Sequence, residues 1–257
     1  MKKIKVNYAH NNSVVNILLD DGKGNVLDRI MMDELQYVFD SFTKKDELKL
    51  IVFEGNGTNF SFGASVEEHK KEHAAAMLRI FHQLFYSLRD ISVPALAKVS
   101  GQCLGGGLEL ALMCNFIFAD KTAKFGQPEI ILGVFPPPAS ILLPEKIGLA
   151  KAEDLLITGK TITAGEAKSS GLVNEVFENK EAMNEGVDIW IEKNILPKSA
   201  SSLRFAVKAV RAKMNHVLSN FLPQMESMYV GQLMQTEDAN EGIASFLEKR
   251  KPVWRNQ

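Results

Sequence analysis

Short apolar runs alternate with stretches of helical periodicity through the first 180 or so residues, and this alternation leaves few architectures open. Residues 14–19 form a compact apolar run ending in Asp20-Asp21-Gly22, the pattern of a strand meeting a turn. Residues 50–53, closed by Glu54-Gly55-Asn56-Gly57, read the same way, as do residues 95–99 and 115–119. Between them the spacing predicts helices over 28–43, 65–89 and 105–113. The second is the longest: Met77, Ile80, Phe81, Leu84, Phe85 and Leu88 fall on one continuous stripe. Strands separated by helices imply βαβ units and a mainly parallel sheet, the α/β class. From about residue 198 the pattern is helical only, with a break expected near Pro223 and a charged tail. A boundary near residue 195 follows, giving a core of 1–195 and a helical region of 196–257. No Gly/Ser or Pro-rich linker separates them, so the helical part is expected to pack on the core or on a neighbouring subunit.

Composition removes several function classes. The chain has 257 residues, enough to bury a sizeable core, and 30 Lys+Arg stand against 31 Asp+Glu. That balance lacks the basic excess of a general nucleic-acid or membrane-surface binder, although a local basic pocket for an anion remains open. Cys103 and Cys114 are in no C-x-x-C spacing, so neither a disulfide framework nor a Cys-rich zinc site is expected. The start, Met1-Lys2-Lys3-Ile4-Lys5, is basic without an apolar segment after it, unlike a secretory signal. No apolar run approaches the roughly 18 residues of a membrane span. The expectation is a cytoplasmic protein with neither nucleic-acid nor membrane partners.

Two motifs tempt other readings. His69-Lys70-Lys71-Glu72-His73 has the H-x-x-E-H form of an inverted zinc-protease helix. The surrounding run of Glu and Lys reads instead as a solvated helix face, and lysines beside a dication are unfavourable. Gly101-Gln102-Cys103-Leu104-Gly105-Gly106-Gly107 lacks the G-x-G-x-x-G register of a dinucleotide site. Around Ser61 half of the G-x-S-x-G elbow is missing, because Asn59 stands at the first glycine position.

Three other segments carry chemistry together. Asn59-Phe60-Ser61-Phe62-Gly63-Ala64-Ser65 precedes the long helix, where backbone N–H groups are free and the helix dipole is positive. Gly105-Gly106-Gly107-Leu108-Glu109 opens another helix, and its glycines allow close approach of backbone to a ligand. Phe125-Gly126-Gln127-Pro128-Glu129 follows a strand and sets a carboxyl just past a proline. The set supplies N–H donors for an oxyanion and two carboxyls, one of which tends to stay protonated near the other. An acid and a base in one place suit adding or removing water beside a carbonyl.

These segments, residues 101–110 and then 125–129, resemble the signature of the crotonase (enoyl-CoA hydratase/isomerase) superfamily, with the likeness running from about Val14 to Trp254. The resemblance implies a spiral of ββα turns followed by a helical trimerisation region, and a homotrimer or a hexamer built as a dimer of trimers. It implies an oxyanion hole from the N–H groups of Ala64 and Gly106, and acid/base roles for Glu109 and Glu129. Ala64, Ser65, Val66 and Glu67 would lie along an acyl-CoA thioester, and Phe246 and Lys249 would approach its nucleotide. Coenzyme A enters as part of the substrate, with no metal or other cofactor.

Departures from the family pattern narrow this further. Ser65 stands where ordinary members have Asp, and Phe135-Pro136-Pro137-Pro138-Ala139-Ser140 replaces a Gly-rich turn. Pro137 has no N–H to offer a catalytic water, and three prolines make a stiff apolar pocket wall. In these features the chain resembles the branch that hydrates cyclohexa-1,5-diene-1-carbonyl-CoA in anaerobic benzoyl-CoA breakdown. The alternatives left open are an ordinary enoyl-CoA hydratase or isomerase, a ring-opening hydrolase of an alicyclic acyl-CoA, and a non-catalytic RNA-binding homologue.

Overall fold

In the computed structural model, which describes residues 1–257, the chain begins with a strand that the sequence pattern did not single out. β1 (Ile4–Ala9) pairs antiparallel with β2 (Val14–Leu19), Ile4 opposite Leu19 and Ala9 opposite Val14. Ile4 is its one buried residue, so β1 carries little hydrophobic signal at the edge of the sheet. α1 (Arg29–Phe42) starts where the Asp28 side chain accepts from the Met31 N–H, and it buries Met31, Leu35, Val38 and Phe39. β3 (Leu50–Gly55) then lies parallel to β2.

The helix expected over 65–89 is two elements. A 3₁₀ turn, Val66–His69, ends at Lys70, whose extended ψ of 146° interrupts the helix, and α2 (Lys71–Ile91) follows. The apolar stripe of α2 begins only at Ala74, so no burial draws residues 65–70 into its axis.

Next come β4 (Ala95–Val99), β5 (Gln102–Leu104), α3 (Gly106–Leu112), β6 (Phe116–Asp120), β7 (Lys124–Gly126) and a 3₁₀ helix, Pro128–Leu132. After α4 (Pro137–Ile147), α5 (Leu149–Thr158), β8 (Thr161–Thr163), α6 (Ala164–Ser170), β9 (Glu175–Phe177) and α7 (Lys180–Asn194), the chain is helical. The larger sheet has the order β1-β2-β3-β4-β6-β9, parallel beyond β1, and the smaller has the order β5-β7-β8. The turns β4–β5–α3 and β6–β7 each give one strand to each sheet, and a bridge from Ser61 to Cys103 adds the preceding turn. The α/β class and the winding of ββα turns are therefore as the sequence implied.

α8 (Ala200–Val210), α9 (Ala212–Gly231) and α10 (Glu237–Leu247) complete the chain. The break expected near Pro223 does not occur. Leu218, Leu222 and Tyr229 are buried on both sides of it, and that burial holds α9 continuous despite the lost N–H. The interruptions fall instead at Arg211 and Gln232. Leu218, Leu222, Tyr229, Met234 and Ile243 belong to the same apolar cluster as Ile17, Phe53 and Phe125, so these helices close over the spiral's own core. No helix is long and apolar enough to cross a membrane.

Candidate active site

Gly63 and Gly105 set the backbone of the site. Gly63 has φ +100°, and a Cβ there would lie 3.2 Å from the Gly106 nitrogen. The buried Ser61 hydroxyl fixes this loop by donating to the Asn25 carbonyl at 2.7 Å and accepting from the Gly63 N–H at 3.0 Å. The Gly63 carbonyl accepts from the Leu27 N–H, while the next N–H, that of Ala64, donates to no backbone carbonyl. Gly105 (φ +49°) precedes α3, and the N–H of Gly106, first in that helix, is equally uncommitted. A Cβ on Gly106 would stand 3.0 Å from the Ala64 nitrogen and 3.2 Å from the Phe81 ring. Two free N–H groups thus meet at one spot, and only glycine leaves room for a ligand atom between them.

The carboxyls arrive from two directions. Glu109, in the first turn of α3, is 4% exposed, and its Oε1 accepts from the Ala139 N–H at 2.9 Å. Glu129 comes from the 3₁₀ helix and reaches back toward α3: a Cβ on Gly105 would be 2.7 Å from its Oε1. The fully buried Gln127 places its amide nitrogen 3.0 Å from each Glu129 oxygen, an orientation assigned from the hydrogen-bonding pattern. Burial, and then the neighbouring Glu129, pushes the Glu109 carboxyl well above its ordinary range. Burial likewise pushes Glu129 up, to about 8. Glu109 is buried and Glu129 half-buried in one cavity, and two such carboxyls titrate as a pair that gives up its protons one at a time.

The proline segment is the start of a helix rather than a turn. Pro137 and Pro138 occupy the first positions of α4, where the helix makes no use of their missing N–H groups. Ala139 supplies the first N–H of this helix end, and Glu109 takes it. The wall is therefore apolar apart from the one donor that holds a carboxyl.

The two glutamates and the glycine-rich backbone between them face a cavity of about 610 Å³. Of the residues singled out in the sequence, Ala64, Ser65, Val66, Glu67, Gly106, Glu109, Glu129, Pro137 and Phe246 line it. Lys249 does not; it is exposed two residues beyond the end of α10, with φ +56°. His69 and His73 do not form one helix face. His69 lies in the 3₁₀ turn, lines the cavity and sets Nδ1 2.7 Å from the Ser65 carbonyl, whereas His73 is exposed on α2. The reading of His69 as solvated is thus corrected: the break at Lys70 turns it inward.

Sequence reasoning missed Gln127, Ala139 and Phe81. Gln127 stood inside a quoted motif, and its nearness to Glu129 was the available signal. Ala139 contributes through its backbone and has no signature in residue type.

Residues 9–257 match the family described as enoyl-CoA hydratase/isomerase. The cyclohexa-1,5-dienecarbonyl-CoA hydratase of Thauera aromatica is 41% identical over 254 residues, covering 99% of this chain and 97% of that protein. A "probable enoyl-CoA hydratase" of Mycobacterium bovis is 36% identical over 235 residues, covering 91% of this chain and 90% of that protein. A solved enoyl-CoA hydratase from Mycobacterium avium subsp. paratuberculosis superposes with a TM-score of 0.86 over 99% of each chain at 22% identity, a likeness of fold.

Proposed function

The chain belongs to the enoyl-CoA hydratase/isomerase family, and from that premise we propose that it hydrates cyclohexa-1,5-diene-1-carbonyl-CoA to 6-hydroxycyclohex-1-ene-1-carbonyl-CoA. The broader class is a hydro-lyase acting on an acyl-CoA thioester. One observation carries the reading: Glu109 and Glu129 flank the free N–H groups of Ala64 and Gly106 in an apolar cavity.

In this mechanism water held between Glu109 and Glu129 attacks the ring's β-carbon, and one carboxylate takes its proton. Charge moves onto the thioester oxygen, where the Ala64 and Gly106 N–H groups stabilise it; one such donor is typically worth about 10²- to 10³-fold in rate. Because the diene is conjugated, the resulting dienolate extends across the ring. The second carboxyl returns a proton at the far ring carbon, a 1,4-addition that neither gains nor loses electrons. The reading therefore needs no metal or redox cofactor, and chelators are expected to leave the rate unchanged. Coenzyme A stays attached to substrate and product. Ser65, Val66, Glu67 and Phe246 are proposed to lie along it.

The cyclic substrate is supported by the start of α4, where the buried Pro136 and Pro137 line the cavity and Pro138 is buried behind them. A rigid wall suits a flat ring and restricts where water can stand. An ordinary acyclic enoyl-CoA is the second reading, favoured by the Mycobacterium bovis relative. Comparing kcat/KM on crotonyl-CoA and on the cyclic dienoyl-CoA separates them. A clear preference for crotonyl-CoA would remove the ring substrate.

The same reading proposes a cytoplasmic role in anaerobic aromatic breakdown, with residues 1–195 as catalytic core and 196–257 as assembly region. Exposed Phe205, Val210 and Phe221 on α8 and α9 support a trimer or hexamer. A monomeric sedimentation profile at assay concentration would overturn that.

A further inference from the structure

The segment after α10 runs back along its own helix, held by carboxylates from the first turns of α10. Asp238 accepts from the Arg255 and Asn256 N–H groups, both at 2.7 Å, and Glu241 accepts from the Val253 N–H at 2.8 Å. Glu241 also takes a forked pair of bonds from the Arg250 guanidinium, and Glu237 pairs with Arg255 at 2.9 Å. These charges stay within reach of water, where ion pairs add little stability. What the clamp does fix is the direction of the chain.

That direction delivers Trp254 to the turn that carries Glu129. A Cβ on Gly133 would lie 3.2 Å from the indole, and one on Gly242 would lie 3.0 Å from it. Gly133 ends the 3₁₀ helix Pro128–Leu132. Its N–H and that of Val134 close the turn by donating to the Ile130 carbonyl at 3.0 Å and the Glu129 carbonyl at 3.2 Å. Gly242 belongs to α10, and a Cβ there would stand 2.1 Å from the Leu132 carbonyl oxygen, so helix and turn meet backbone to backbone. Ile131 and Leu132 of the turn line the cavity, as do Phe246 and Leu247 of α10. The indole is 41% exposed and lies outside the main apolar cluster, so its packing is local to this notch.

We propose that Trp254 is a positioning residue for Glu129, its indole seated on Gly133 and Gly242 so that α10 and the 3₁₀ turn hold the carboxyl opposite Glu109. The proposal rests on the hydratase reading above for its kinetic consequences, but the hold on the turn can be measured without substrate.

The test is Trp254→Ala, which removes the ring and leaves the charged clamp in place. In hydrogen exchange of the substrate-free protein, the Gly133 and Val134 amides should exchange about tenfold faster or more, with those of α2 and the inner strands unchanged. We expect kcat to fall about tenfold or more with KM nearly unchanged, because a displacement of about 1 Å can cost 10²-fold in a positioned reaction. Trp254→Phe keeps a flat ring and should restore most of both. Unchanged exchange at Gly133 and Val134 overturns the proposal, and so does faster exchange there with an unchanged kcat. Faster exchange spread evenly over the chain, or a Phe variant no better than Ala, overturns it as well, because the ring would then serve general packing. If the unaltered protein turns over no acyl-CoA, the hydratase reading fails, and the exchange still decides whether Trp254 holds the turn.

Discussion

The Ala139 N–H donates to Glu109 Oε1 at 2.9 Å, joining the proline wall to the acid/base pair. The segment that shapes the pocket is thus the segment that holds one of its carboxyls. Pro137 and Pro138 donate nothing, so the start of α4 presents a single free N–H, and its position sets that of Glu109.

Glu109→Gln keeps an oxygen for the Ala139 N–H and preserves the local packing, but it cannot exchange a proton. We expect kcat to fall about 10²- to 10⁴-fold with KM little changed, the range for one acid/base group. Steady-state kinetics on the best acyl-CoA substrate checks this, and an unchanged kcat would remove Glu109 from the chemistry.

Gly106→Ala places a Cβ 3.0 Å from the Ala64 nitrogen and 3.3 Å from its Cβ, in the space between the two donors. The backbone there does not need a positive φ, so the fold should survive. A loss of about 10²-fold or more in kcat is expected. A folded, fully active variant would place the oxyanion donors elsewhere.

The pH dependence of stability follows from the raised carboxyls. Burial raises Glu129 to about 8 in the folded protein, above the ordinary carboxyl value of about 4.3 that applies when unfolded. A folded pKa above the unfolded one means that the folded state binds the proton more tightly. This contribution is intact below about pH 4 and is lost as pH rises to about 8. Glu129→Gln cannot ionise, so its melting temperature relative to the unaltered protein should rise between pH 5 and pH 8. A difference that stays flat or falls across that interval contradicts the assignment.

Pro137→Gly loosens the wall and adds an N–H at the first position of α4. The cyclic substrate should lose about tenfold in kcat/KM, since a displacement of about 1 Å can cost 10²-fold in a positioned reaction. Crotonyl-CoA hydration should hold or rise. Equal losses on both substrates would show that the wall does not set specificity.

Periodicity made the inner strands and α2's apolar stripe legible, because burial on one face leaves a pattern in residue type. It could not reveal β1, an edge strand with one buried residue, or the turn at Lys70, which depends on what α2 packs against. Pro223 misled because local propensity is weaker than the burial of Leu218, Leu222 and Tyr229 around it. In the site, Glu109, Glu129 and the glycines were readable because their chemistry depends on side-chain type or on its absence. The donors that hold the glutamates were not. Ala139 acts through a backbone N–H 30 residues from Glu109, a role that leaves no mark in residue type.

The most direct test is to incubate the protein with cyclohexa-1,5-diene-1-carbonyl-CoA in deuterated water and examine the product by mass spectrometry and NMR. The account predicts a gain of one water, with the hydroxyl on the ring carbon next to the thioester-bearing carbon and deuterium on the ring carbon diametrically across from the hydroxyl-bearing one. No gain, a ring-opened product, or deuterium beside the thioester instead of across the ring would contradict it.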